Sequence, residues 1–307
     1  MKIYINNVKE SWIIDRLTKE WFEENSDITT KYINRSDLIW ISANWVWKKI
    51  PKKHLKSKKV ICSVYHIDFE KFDEKSRKDF YELDQYVDEY HTISEISKLQ
   101  IQKLTDKKIT SIPFWINQKN WFNIEDKEFL RDKYQISIND YIVGSFQRDT
   151  EGFDLKSPKL IKGPDIFYSL VKEIYSKNKN LKVLLTGTRR QYLLEKFKED
   201  EIPYLYYEMV DIQSLNELYN LLDLYIVTSR IEGGPQAILV AGLNKTPIVS
   251  THVGVAPEIL NEKSIFNPSE FDKAEPDINY AFNKSKQYII PAGMEKFRKM
   301  FTDLYEN

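Results

Sequence analysis

Cysteine is nearly absent from this chain of 307 residues: Cys62 stands alone, so no internal disulfide can close. One thiolate also falls short of the several that zinc ribbons and knuckles use, and the compartment reads as reducing. Net charge is missing too. The 46 basic residues balance 46 acidic ones, so the chain as a whole is not built to neutralise a phosphate backbone, and no nucleic-acid partner is expected. No apolar run approaches the roughly 20 residues that cross a bilayer. The start, Met1-Lys2-Ile3-Tyr4-Ile5, runs straight into a strand-like pattern without a signal peptide's apolar core. These absences predict a soluble, cytoplasmic protein. At roughly 100 to 200 residues per domain, its length suits two domains or one large one.

Glycine is scarce and unevenly placed. All 9 glycines lie at or beyond Gly144, whereas all 7 tryptophans lie at or before Trp121. Glycine permits the tight turns and close backbone approach that phosphate-binding loops need. Tryptophan offers a broad amphipathic face for sugars, lipids or a core. The second half therefore reads as the nucleotide half, and the first as a packed or acceptor-binding domain.

What is present is alternation. Strand-like runs at 2–6, 37–42, 59–65, 86–92 and 108–113 are separated by helical patterns such as 11–24 and 70–83. The polar stretch 114–139 breaks the series. A second one follows, with strands at 141–146, 181–186, 204–207, 222–228 and 247–250 and helices at 162–177, 191–200, 212–221, 235–243 and near 294–305. Such alternation favours parallel sheets with right-handed crossovers. The expected class is α/β with two doubly wound, Rossmann-like domains: 1–120, a linker at 121–139, a second domain at 140–285, and a C-terminal helix at 286–307.

The most informative run is Ser229-Arg230-Ile231-Glu232-Gly233-Gly234-Pro235, which follows an apolar strand and opens a helix. Pro235 stands where a missing N–H costs nothing. Gly233 and Gly234 expose backbone N–H groups at the positive end of the helix dipole, a place for a diphosphate. Glu232 sits just before, where a carboxylate accepts hydrogen bonds from sugar hydroxyls. Taken alone, the run reads equally well as an ordinary helix start with an acidic residue near the dipole.

In context it resembles the donor-binding signature of GT-B glycosyltransferases, particularly retaining family four (glycosyl transferases group 1). Val143-Gly144-Ser145-Phe146 with Ile161-Lys162-Gly163-Pro164-Asp165 resembles the family's first donor-domain strand and its Lys-Gly helix start. Leu184-Leu185-Thr186-Gly187-Thr188 and the segment from Thr246 to Ile259 are similar to later family segments, and the likeness covers about 141–260. Val64-Tyr65-His66-Ile67-Asp68 resembles a strand end that carries a histidine near the reacting sugar, although a lone histidine there also serves structure. The resemblance implies two domains facing a cleft, transfer of a sugar from a nucleotide-sugar donor, retained configuration, and neither metal nor other cofactor.

The resemblance also implies roles. Glu232 and His66 would be catalytic. Arg148, Lys162, Gly233, Gly234 and Pro235 would hold the donor diphosphate, and Gly144, Ser229 and Asn7 would touch the donor. Arg148 is preferred to Lys156 and Lys159 within the long loop 147–161 because a guanidinium grips phosphate oxygens in a fork. Arg189 and Arg190 read as surface charge. Two departures stand out: Val240 occupies the place of the family's second glutamate, which contacts the nucleotide ribose, and the stretch from Tyr4 to Glu10 lacks the family's glycines.

Seven lysines crowd the segment from Lys48 to Lys59, beside Trp45 and Trp47. This mixture suits docking on an anionic membrane, peripherally on its inner face, or a solvated face of the first domain; Pro51 argues against a long clean helix. The expected activity is glycosyl transfer to a glycan or lipid-linked acceptor in the synthesis of cell-surface polysaccharide. A catalytically idle relative that binds a nucleotide sugar or a protein, and a nucleotide-sugar epimerase, remain the alternatives.

Overall fold

The computed structural model describes residues 1–6 and 13–306, in two compact units. One runs from Met1 to Asn117 and takes in the segment from Tyr288 on; the other is Gln118–Gln287.

The first unit is built on six parallel strands, β1 (Ile3–Ile5), β2 (Thr29–Thr30), β3 (Leu38–Ile41), β4 (Lys59–Ser63), β5 (Glu89–Thr92) and β6 (Lys108–Ser111), in the order β2-β1-β3-β4-β5-β6. The chain winds outward from β1 in both directions, as a doubly wound sheet does. Leu38-Ile39-Trp40-Ile41 is buried throughout because both faces of the sheet are covered. Alternation along the strands then divides the core: Leu38, Trp40 and Ile61 join one cluster, and Ile39, Ile41, Val60 and Cys62 the other.

Tryptophans fill the first cluster. Trp21 lies 5.5 Å from Trp40 and 5.6 Å from Trp115, ring centre to ring centre. The C-terminal helix Ala292–Glu306 presses Met294, Phe297, Met300 and Phe301 into the same cluster, which ties it to the first unit.

The second unit repeats the design. Its strands are β7 (Tyr141–Gly144), the hairpin β8 (Thr150–Glu151) and β9 (Ser157–Pro158), β10 (Leu181–Thr186), β11 (Tyr204–Tyr207), β12 (Leu224–Val227), β13 (Ile248–Thr251) and β14 (Ile265–Phe266). The parallel sheet runs β11-β10-β7-β12-β13-β14, so the winding direction switches between β7 and β12. The stretch 121–139, read from the sequence as a linker, contains the helix Lys127–Lys133 and is part of this unit. Arg131 reaches Asp223 at 2.9 Å and Lys133 reaches Glu217 at 2.7 Å. Asn216 and Asn220 accept the N–H groups of Phe122 and Ile124.

Among the described residues no helix is long and apolar enough to cross a membrane.

Candidate functional site

Doubly wound sheets bind ligands beyond the carboxyl ends of their strands where the winding reverses, which in the second unit means the loops after β7 and β12. β7 ends at Gly144, where a Cβ would come within 2.6 Å of the Leu222 side chain. Close packing against Leu222 is therefore a reason for glycine there that needs no ligand. β12 delivers Thr228 and Ser229. The Ser229 hydroxyl donates to Gln147 Oε1 at 2.6 Å and lies 3.4 Å from Glu232 Oε2, while its carbonyl accepts from Thr251 at 2.6 Å. One buried serine thus ties the loops after β7, β12 and β13 together.

Backbone bonds bring the next pair into contact. The Ile161 carbonyl accepts from the N–H groups of Arg230 and Ile231 at 2.9 and 3.1 Å. Gly163, at φ +63°, passes so close to the Thr228 carbonyl that any side chain would collide with it, and the Thr228 hydroxyl donates to the Gly163 carbonyl at 2.8 Å. With the turn Leu160–Lys162 docked on the loop after β12, the Lys162 ammonium forms an ion pair with the Glu232 carboxylate, the side chains being 19% and 17% exposed. Arg230 forks onto Asp165 at 2.8 and 2.6 Å and pins the two loops from outside.

After Gly233, Gly234 and Pro235 comes the helix Gln236–Leu243, whose N-terminus no side chain caps. Within the first turn the Ile238 N–H donates to the Pro235 carbonyl at 2.9 Å, and the positive end of the helix dipole faces the loop that carries Glu232. Gly254, at φ +50°, lies against this turn, a Cβ there falling 2.7 Å from the Gly233 carbonyl oxygen. Val240 is only 3% exposed and belongs to the buried run from Ile238 to Leu243.

The long loop after β7 supplies further cations. Arg148 Nε donates to the Thr150 carbonyl at 2.9 Å, and partial burial together with Arg189 holds its guanidinium below the usual range. Lys159 is half-buried; burial first, then Arg148 and Lys162, depresses its ammonium, with Glu151 and Glu232 acting in the opposite direction. Lys159, an alternative to Arg148 within this loop, stands three residues before Lys162, next to the tight turn Leu160–Lys162. Arg190 is a correction. Read as surface charge, it is fully buried, donating to Asp149 at 2.5 Å and to the Thr186 carbonyl at 2.9 Å, so it serves the fold beneath the loop.

The first unit holds the other expected residues. His66 lies half-buried on the loop after β4, and Asn7 lies outside the described residues. His91 is wholly buried between the Ser63 hydroxyl and the Ile112 carbonyl, 2.8 Å from each, and burial pushes its imidazole down to about 4. The carbonyl can only accept, so Nε2 bears the proton and Nδ1 accepts from Ser63. A cavity of about 410 Å³ at the amino ends of β4 and β5, lined by Leu55, Lys56, Lys58, Gln85, Tyr86 and Asp88, lies in this unit and not at the loops after β7 and β12.

HepE of Anabaena, solved in complex with UDP, superposes with a TM-score of 0.76 at 13% identity, over 99% of this chain and 100% of its own. Sucrose-phosphate synthase of Thermosynechococcus elongatus gives 0.72 at 12% identity, over 98% and 81%. TarM of S. aureus gives 0.65 at 13%, over 96% and 58%. The family model described as Glycosyl transferases group 1 matches residues 156–274, which contain Lys162, Glu232 and the helix start after Pro235. The chain has the GT-B fold of these structures, and its second unit carries a segment that matches the glycosyl transferases group 1 model. No curated protein matches it in sequence. The matched region begins inside the β8–β9 hairpin, and Arg148 lies just before it.

Proposed function

We propose that this protein is a glycosyltransferase that moves a sugar from a nucleotide-sugar donor, held by the second unit, to a glycan or lipid-linked acceptor held by the first, with retention and without metal. The observation that carries the reading is the Lys162–Glu232 ion pair beside an uncapped helix N-terminus. Departure of a nucleoside diphosphate places negative charge on the phosphates, and preorganised cations and backbone N–H groups lower the barrier to it in place of a metal ion. Lys162, Arg148 and the helix start are the groups for that work. When the diphosphate draws the Lys162 ammonium to itself, the Glu232 carboxylate is released to accept hydrogen bonds from donor-sugar hydroxyls. His66, on the loop after β4, is the catalytic residue proposed for the first unit. The HepE complexes with UDP and with UDP and glucose support a nucleotide-sugar donor.

The acceptor reading rests on the first unit's surface. Lys48, Lys49, Lys52, Lys53, Lys56 and Trp45 are exposed; Lys48 and Lys52 form ion pairs with Asp79 and Glu82, and Trp47 is buried. Peripheral docking of this face on an anionic membrane would present a lipid-linked acceptor. Each lysine at such a surface contributes about 1 kcal/mol and loses it to screening. Sedimentation with anionic vesicles at low salt should carry the enzyme down. Equal binding to neutral vesicles, or none to either, makes the face an ordinary solvated one. Proton spectra of the product's anomeric centre test retention, and an inverted anomer would overturn it.

A further inference from the structure

Residues 147–161 make a longer connection than a turn after β7 requires, and they fold as the β8–β9 hairpin, with Thr150 opposite Pro158 and Glu151 opposite Ser157. Its base is firmly held. Asp149 is bound by the buried Arg190, the Lys159 N–H donates to the Asp149 carbonyl at 2.7 Å, and the Lys159 carbonyl accepts from the Lys162 N–H at 2.8 Å. Arg148 is fixed on the opposite strand by its bond to the Thr150 carbonyl. Three cationic side chains thus leave one rigid base: Arg148, Lys159 and Lys162.

They are not equally satisfied. Lys162 is paired with Glu232. Lys159 is half-buried and, among the described residues, has no carboxylate within ion-pair distance. A partly desolvated ammonium without a counter-ion is unfavourable. Three positive charges against the single Glu232 carboxylate leave a surplus of two, while Arg189 and Glu151 at the edge offset each other. A diphosphate diester neutralises that surplus.

We propose that Lys159 is a third cation of the diphosphate site, contributed by the hairpin, and that it binds the donor's phosphates together with Lys162 and Arg148. The proposal deepens the function proposed above and rests on it. Lys159 follows the hairpin's second strand directly, so the hairpin fixes where this charge enters the site.

Calorimetric titration of the full chain with inorganic pyrophosphate, which carries the diphosphate and no base, tests it. Lys159→Met keeps most of the side-chain stem and removes the charge. It should weaken pyrophosphate binding about tenfold, the loss expected for one charge-assisted hydrogen bond, and weaken orthophosphate binding less. Lys159→Arg should restore most of the affinity. Ligand-free Lys159→Met should melt no lower than wild type, because no native ion pair is broken and a partly desolvated charge is removed. Wild-type affinity in Lys159→Met alongside weakened binding in Lys162→Ala would overturn the proposal and leave the site reading standing. Unchanged binding in both variants, or no pyrophosphate binding by wild type, would overturn the site reading as well.

Discussion

Lys162 and Glu232, 70 residues apart in sequence, hold each other in an ion pair that is largely shielded from water. In the proposed function each competes with substrate for the other, the ammonium being sought by phosphate and the carboxylate by sugar hydroxyls. Glu232→Gln removes the competing anion while keeping the shape. Transfer should fall tenfold or more, since a hydrogen bond to a charged group is worth about 1.5 to 3 kcal/mol, yet nucleoside diphosphate should bind more tightly than to wild type. Turnover and titration on one preparation check both. Near-normal turnover at saturating donor removes Glu232 from the site.

Arg148→Ala and Lys162→Ala should each weaken nucleoside diphosphate binding and slow transfer. Acting on the same phosphates, they should be less than additive in a double-mutant cycle. Strict additivity in titration would assign them to separate ligand groups.

Val240 tests how the donor grip differs from that of the family. The residue is 3% exposed in a helix that packs on Ile278–Ser285 so closely that a Cβ at Gly242 would lie 2.8 Å from the Ala281 carbonyl oxygen. Val240→Glu should therefore destabilise the protein by several kcal/mol or leave the new carboxyl protonated near neutral pH. Thermal melting across pH measures it. An unchanged melting temperature with tighter nucleotide binding would show that the groove still admits a ribose at this position.

His91 makes a pH-dependent contribution to stability. Its imidazole, depressed by burial, takes a proton in the folded chain only near pH 4, whereas unfolded histidine does so near 6.5. Between those values the unfolded state binds more protons, so stability is full above about pH 6.5 and falls as pH drops toward 4, by about 3 kcal/mol from this group. Chemical denaturation of wild type and His91→Gln should show a difference that shrinks by that amount on acidification. A pH-independent difference would contradict the assignment.

Much of the fold was legible because β3, β4, β10 and β12 are apolar runs in regular alternation with helices. The edge strands β2 and β14 have two residues each, too short for any periodicity. Helix Lys127–Lys133 escaped notice because its support comes from Asp223 and Glu217, far along the chain. The attachment of the C-terminal helix to the first unit depends on Phe297 and Phe301 meeting Trp21 and Trp40, a relation that local pattern does not carry. At the site, the motif around Glu232 and the Lys-Gly pair at Lys162 and Gly163 were readable, but their pairing was not. Arg190 looked exposed because its partner Asp149 lies 41 residues upstream.

The loops after β7 and β12 are proposed to bind a nucleotide-sugar donor and to stabilise its departing diphosphate. Release of nucleoside diphosphate from a panel of nucleotide sugars, with and without an acceptor extract, measures it most directly in wild type, Lys162→Ala and Glu232→Ala. Acceptor-stimulated release from at least one donor is expected, lowered tenfold or more in both variants without loss of fold. Release that persists in both variants, or donor binding with no release under any acceptor, would contradict it; the second result would mark a nucleotide-sugar binder that has lost transfer.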